Sequence, residues 1–203
     1  MARDIPVGNG SLLVTFDSDY RVWDIYFPHV GQENHTGGHP CRFGFFADDR
    51  FSWVGHQCQR SLDYQDDTLV TDVRLRHEGL ALEVGCHDAV DFHENVFVRE
   101  VRVRNLGARA RLIKVFFSHD FHIGENEVGN TALYDPRLKA VIHYRGPRYF
   151  LVNVSVGGRT GVDEWATGTK EFGGEEGTWR DAEDGRLERN PIAQGSVQRR
   201  SRS

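Results

Sequence analysis

The chain has 203 residues, 38% of them hydrophobic and 27% charged, enough for one large domain with a substantial core. Its formal charge of -5, from 25 basic and 30 acidic residues, argues against a general attraction to nucleic acid or anionic lipid. Cys41, Cys58 and Cys86 are odd in number and lack C-x-x-C spacing, which argues against a disulfide framework and a structural zinc site.

No run of 18 or more apolar residues occurs, and Met1 to Gly10 shows no basic, apolar and small-residue succession. Neither a membrane span nor a secretory signal is expected, and the setting is read as cytoplasmic.

In chain order, the dominant signal is period-two alternation of Val, Phe, Tyr and Thr, broken by Gly, Asp and Asn, as antiparallel strands require. "SLLVTFD", "YRVWDIYF", "RFGFFA" and "RFSWV" are the first such runs. In "TDVRLRH", Val73 and Leu75 alternate with Asp72, Arg74 and Arg76. In "GLALEVG", Leu80, Leu82 and Val84 alternate with Ala81 and Glu83, with Glu78 and Gly79 as the hairpin turn. "REVRVRN" sets Val101 and Val103 against Arg102 and Arg104, and "RLIKVFFSHD" reads as a strand covered on both faces. "LKAVIHY" and "RYFLVNVSV" bring the count to about ten, the spacing of an all-β antiparallel sandwich. From Gly157 the texture turns to Gly, Glu and Arg, with Thr178 placed as the N-cap of a short helix in "WRDAEDG". The expected division is a sandwich over residues 1–177, a short helix with following segment over 178–196, and a disordered tail over 197–203.

One loop concentrates chemistry-bearing residues. Between Pro28 and Arg42, "HVGQENHTGGHP" supplies His29, Gln32, Glu33, Asn34, His35 and His39, and loops longer than about 12 residues usually carry function. Glu33, His35, His39 and Cys41 include zinc-ligand types, but Gly37 and Gly38 disfavour the helix that H-x-x-x-H needs to align its imidazoles. In "HDFH", His119, Asp120 and His122 are a weaker candidate, since alternation sends neighbours to opposite faces. No metal and no cofactor is assigned. Asp63, Asp66 and Asp67, and Glu175 and Glu176, read as solvated carboxylates rather than a glycosidase pair. Trp23, Trp53, Tyr26 and Phe27 read as core before sugar-stacking platforms.

"RDIPVGNGSLLVTFDSDYRVWDIYFPHVGQENHTGGHPCRFG", together with "TWRDAEDGRLERNPIAQGS", resembles the N-terminal β-domain of prokaryotic glycoside hydrolase family 15 proteins, the glucoamylase, glucodextranase and trehalase-like group. The most specific parts are Gly8 to Gly10, Tyr26 to Pro28 and "WRDAEDG". The resemblance implies a large super-β-sandwich, similar to galactose mutarotase, packed on an α/α-barrel that carries the two catalytic glutamates and acts on α-glucosides. It implies that this chain is a fragment without that barrel, inactive alone, in which His29, Gln32, Glu33, Asn34, His35 and His39 meet the barrel near its substrate entrance. The alternative is a self-standing sugar-binding or epimerising sandwich. By the mutarotase analogy its acid and base would be His87, His93 or His119 with Glu83 or Glu94.

Overall fold

A computed structural model describes residues 3–126, 128–168, 181–189 and 192–194, the last group and Arg3 and Asp4 by backbone alone. The architecture is all-β and antiparallel. β1 (Arg3–Gly8), β2 (Leu13–Asp17) and β3 (Val22–Tyr26) form one sheet. β4 (Arg42–Ala47) and β5 (Arg50–Trp53) pair as a hairpin. β6 (Gln59–Tyr64), β7 (Thr71–His77), β8 (Leu82–Val90) and β9 (Phe97–Asn105) form a four-stranded meander. β10 (Lys114–Ser118) adds to the free side of β4. β11 (Thr131–Asp135), β12 (Ala140–Arg145) and β13 (Arg148–Val152) form another sheet, beside a small hairpin of β14 (Ser155–Val156) and β15 (Arg159–Thr160). β16 (Ile192–Gln194) closes that sheet against β11.

The core lies between inward faces whose alternation is visible in the sequence. Ile5, Val7, Val14 and Phe16 from β1 and β2, with Phe43 and Phe45 from β4, meet Val73, Leu75, Leu82, Val84 and Cys86 from the meander. The entry to β2 explains the G-N-G opening. Asn9 Oδ1 accepts from the amides of Ser11 and Leu12, while its Nδ2 donates to the carbonyls of Asp91 and Glu94, so one side chain builds the turn and ties it to the distant β8–β9 turn. A Cβ on Gly8 would lie 2.7 Å from the Leu12 carbonyl oxygen, so only glycine fits there.

One charged pair is buried inside this apolar core. Asp88 and Arg99 sit directly opposite on β8 and β9, with Arg99 Nε 2.6 Å from Asp88 Oδ1 and side-chain exposures of 10% and 0%. Thr71 Oγ1 donates to Asp88 Oδ2 at 2.9 Å, and the Tyr20 hydroxyl donates to the same oxygen. Phe16, Tyr20, Phe43 and Phe97 surround the guanidinium at 4.7–5.6 Å, distances at which ring faces attract a cation. Burial pushes the Tyr20 phenol far up, so it stays a donor. The pair thereby joins both layers of the sandwich through a fully buried carboxylate and a guanidinium that is only 10% exposed.

Several expectations need correction. "RLIKVFFSHD" is not covered on both faces: the strand is only Lys114–Ser118, and Phe116 points inward while Val115 and Phe117 are exposed. The β7–β8 turn spans Glu78 to Ala81 rather than two residues, because Leu80 is buried and its amide bonds to His77 Nδ1. Among the described residues, the expected short helix is represented by a 3-10 turn, Asp181–Asp184, with Ala182 buried. Gly185 at φ 77° ends the turn on its C-terminal side. Thr178 and residues 197–203 lie outside the described residues. The region after Gly157 is also less peripheral than its composition implies: Trp165 stacks on Tyr134 at 3.5 Å, and Lys114 reaches the Gly185 carbonyl at 2.6 Å.

Removing one partner of a buried pair strands the other charge, at a cost of about 3–5 kcal/mol. Arg99→Met should therefore lower unfolding free energy in urea by about that amount. A loss under about 1 kcal/mol, the scale of an exposed ion pair, would contradict the account.

Candidate functional site

The Pro28–Cys41 loop is anchored at its middle and at its C-terminal end: Tyr26 bridges Asn34, and Val22 bridges Cys41. The Phe27–Pro28 peptide is cis. Inside it the polar side chains before Gly37 separate into three groups. His29 and Gln32 are exposed. Glu33 forms a two-pronged pair with Arg148 of β13, both distances 2.9 Å. The Arg148 hydrogen bonds hold the Glu33 carboxyl below the usual carboxylate range. Asn34, His35 and Thr36 are buried at 6%, 0% and 0% exposure.

The buried group uses up its own polar atoms. Asn34 Nδ2 donates to Asp24 Oδ1 at 2.8 Å, and Asn34 Oδ1 accepts from the Thr36 amide at 3.1 Å. The Thr36 hydroxyl also reaches the Trp23 carbonyl at 2.6 Å. The expectation that Asn34 and His35 face water or another domain is thus replaced: their polar counterparts lie within the chain, as burial demands.

His35 is the hub. Its amide donates to the Ile25 carbonyl at 2.8 Å, and its carbonyl accepts from the His122 amide at 2.8 Å. Nδ1 accepts from the Gly124 amide at 3.1 Å, so Nε2 carries the proton and donates to the Phe27 carbonyl at 2.5 Å. Its ring packs on Phe150 of β13 at 4.8 Å. Burial lowers the His35 pKa, consistent with this neutral tautomer.

The segment drawn in by His35 is "HDFHIG", and its alternation makes two different surfaces. His119 and Phe121 continue a stack begun at Phe117, with centroids 6.4 and 6.2 Å apart. They meet His143 of β12 and Phe150 of β13, Phe121 lying 4.7 Å from each. Burial, helped by Arg99, lowers His119 to about 4. Burial, with nearby His119, lowers His143 to about 3. Asp120 and His122 point the other way and meet His39 from the loop. His122 Nε2 is 3.2 Å and His39 Nδ1 3.8 Å from the Asp120 carboxylate. The two imidazoles stack at 3.8 Å with planes 10° apart. Gly37, at φ 55°, permits this approach, since a Cβ there would lie 3.1 Å from His122 Cβ.

Sequence spacing proposed Glu33, His35, His39 and Cys41 as one group, and the structure scatters them: Glu33 pairs with Arg148, His35 is consumed by backbone, and burial pushes the Cys41 thiol up to about 12. The mutarotase-style acid and base do not assemble either. Glu83 pairs with Arg104, the His87 ring lies against Gln65 and the Thr71 carbonyl, and among the described residues no hydrogen bond or ion pair joins these histidines to Glu83 or Glu94. Trp23, Trp53, Tyr26 and Phe27 are half-buried. Asp63, Asp66 and Asp67 line an open hollow of about 490 Å³ with Leu69. A second hollow, about 470 Å³, is lined by Asp19, Arg21, Arg42, Trp53, Gln57 and Glu183, among others. Glu175 and Glu176 lie outside the described residues.

The lowered histidines fix the sign of an acid response. Native His35, His119 and His143 stay neutral where an unfolded chain, with histidine near 6.5, takes up protons. Their contribution is complete above about pH 6.5 and is lost as pH falls towards 4 and 3. The unfolding free energy measured in urea should drop from pH 7.5 to 5, by at most about 1.4 kcal/mol per pH unit per histidine. The replacement of His119 and His143 together by Phe should flatten the trend; an unchanged slope would contradict it.

No family model matches the chain, and no curated protein sequence does. Among solved structures, a crystal structure of a bacterial glucoamylase complexed with acarbose matches with a TM-score of 0.63 and 11% identity over 74% of this chain and 23% of that one. At that identity the likeness is one of fold. The chain therefore has the β-sandwich fold found in a part of that glucoamylase, and it spans about a quarter of that protein's length.

Proposed function

We propose that this chain is the non-catalytic N-terminal sandwich of a family 15-like glycoside hydrolase, and that it braces and orients an α/α-barrel acting on α-glucosidic bonds. The observation that carries the reading is the fold likeness, in which most of this chain overlays a minor part of a much larger glucoamylase. Two features agree with it. Val98 on β9, Val115 and Phe117 on β10, and Tyr149 and Leu151 on β13 are exposed apolar side chains on three different strands. Exposed apolar side chains of this kind suit contact with another domain where they share a face. Glu33, paired to Arg148, and exposed His29 and Gln32 give the long loop a polar rim for the same contact. The three cysteines are free and buried, which fits a reducing compartment such as the cytoplasm.

A second reading, a self-standing sugar-binding sandwich, draws on the hollow around Trp53. There Arg42 stands 5.8 Å over the Trp53 ring, and Arg21 and Gln57 offer donors to hydroxyls. Two measurements separate the readings. The purified chain should release no glucose from maltose, starch or trehalose above a mock preparation, and maltose or glucose should leave Trp fluorescence unchanged. It should also bind an apolar-surface dye and self-associate at high concentration. Turnover lost on replacing a single carboxylate would overturn the bracing role, and saturable fluorescence quenching by sugar, abolished in Trp53→Ala, would favour the second reading.

A further inference from the structure

The geometry points to a transition-metal site of the zinc class, formed by His39, Asp120 and His122 where the Pro28–Cys41 loop meets the segment after β10. The inference is independent of the role proposed above. One ligand atom from each residue lies within 4.8 Å of the others. Ligand atoms around tetrahedral zinc, at bond lengths near 2.0–2.1 Å, stand about 3.3 Å apart. The observed 3.2 Å from His122 Nε2 to Asp120 Oδ1 and 3.8 Å from His39 Nδ1 to Asp120 Oδ2 straddle that value; because a ligating imidazole holds the ion in its ring plane, binding requires one ring to rotate out of the present near-parallel stack.

The donor set selects the ion. Two imidazoles and one carboxylate suit zinc, cobalt, nickel or copper, whereas magnesium and calcium take oxygen donors. The site is also partly open: side-chain exposure is 37% for His39, 28% for Asp120 and 14% for His122. Three protein ligands with solvent on one side leave a fourth position for water, or for a group from a docked partner.

The ligands are held by backbone that is already satisfied. The His39 amide donates to the Thr36 carbonyl at 2.8 Å, and the His122 amide donates to the His35 carbonyl at 2.8 Å. Glu125 donates to both the Asn34 and His122 carbonyls, at 3.1 and 2.8 Å. Two chain segments more than eighty positions apart are thus fastened side by side before any ion arrives, which limits the ordering cost of binding. A metal would add a cross-link between them.

Tag-free protein stripped with chelator and dialysed against zinc should take up one equivalent, with a dissociation constant in the micromolar range or tighter. Cobalt(II) should give visible absorption bands of a low-coordinate site, displaced by zinc and not by magnesium. His39→Ala lies on a half-exposed loop position and should lose the stoichiometric uptake and the cobalt bands while retaining its circular dichroism. His122→Gln provides an independent check. Zinc should raise the melting temperature of the parent and not of either variant. Uptake well below one equivalent would overturn the assignment and leave an Asp120-linked histidine stack. Equal uptake by parent and both variants would overturn it too, by placing the ion on other histidines.

Discussion

The site region depends on a single buried imidazole. His35 has no exposed surface, yet it makes four hydrogen bonds and a ring contact to three separate parts of the chain. Buried polar atoms must find partners or cost about 1–3 kcal/mol each, and here the partners are the backbone of β3's continuation and of residues 122–124. The requirement to satisfy this ring brings "HDFH" against the loop. From that follow the stack of Phe117, His119 and Phe121 on β12 and β13 and the meeting of His39 with Asp120 and His122.

A different physical device holds the main core. There Asp88 and Arg99 form an ion pair largely shielded from water, offset by Thr71, Tyr20 and four aromatic faces. Arg99 links the two regions, because its charge also helps keep His119 neutral. The molecule therefore carries a rigid sandwich at one side and, through Arg99 and His119, an aromatic and imidazole layer leading to the long loop.

Strands were legible where alternation was strong. "RFGFFA" and "TDVRLRH" match β4 and β7 residue for residue; β7 alternates buried with more exposed side chains, and β4 carries three Phe, a strand-favouring residue. The missed strands have weak local signals. β1 contains Pro6 and ends at Gly8, β6 is largely polar, and β11 and β16 are short; pairing with distant partners makes them strands. The loop was legible as chemistry-rich, but which of its side chains are buried was not, since Asn34 and His35 look as solvated as Gln32 until their backbone partners are placed. The convergence of His39 with Asp120 and His122 had no spacing signal at all. The Asp88–Arg99 pair had one, because a hairpin register read outward from the β8–β9 turn sets these two opposite.

The most direct test of the central claim is native-state hydrogen exchange at the amides of His122 and Gly124, which donate to the His35 carbonyl and ring. If His35 fastens the two segments, both amides are protected to the level of the β4 strand amides, and His35→Ala brings them to the rate of an open loop while β7 and β8 stay protected. Exchange of these amides at unprotected rates in the parent protein, or unchanged protection in the variant, would contradict the account.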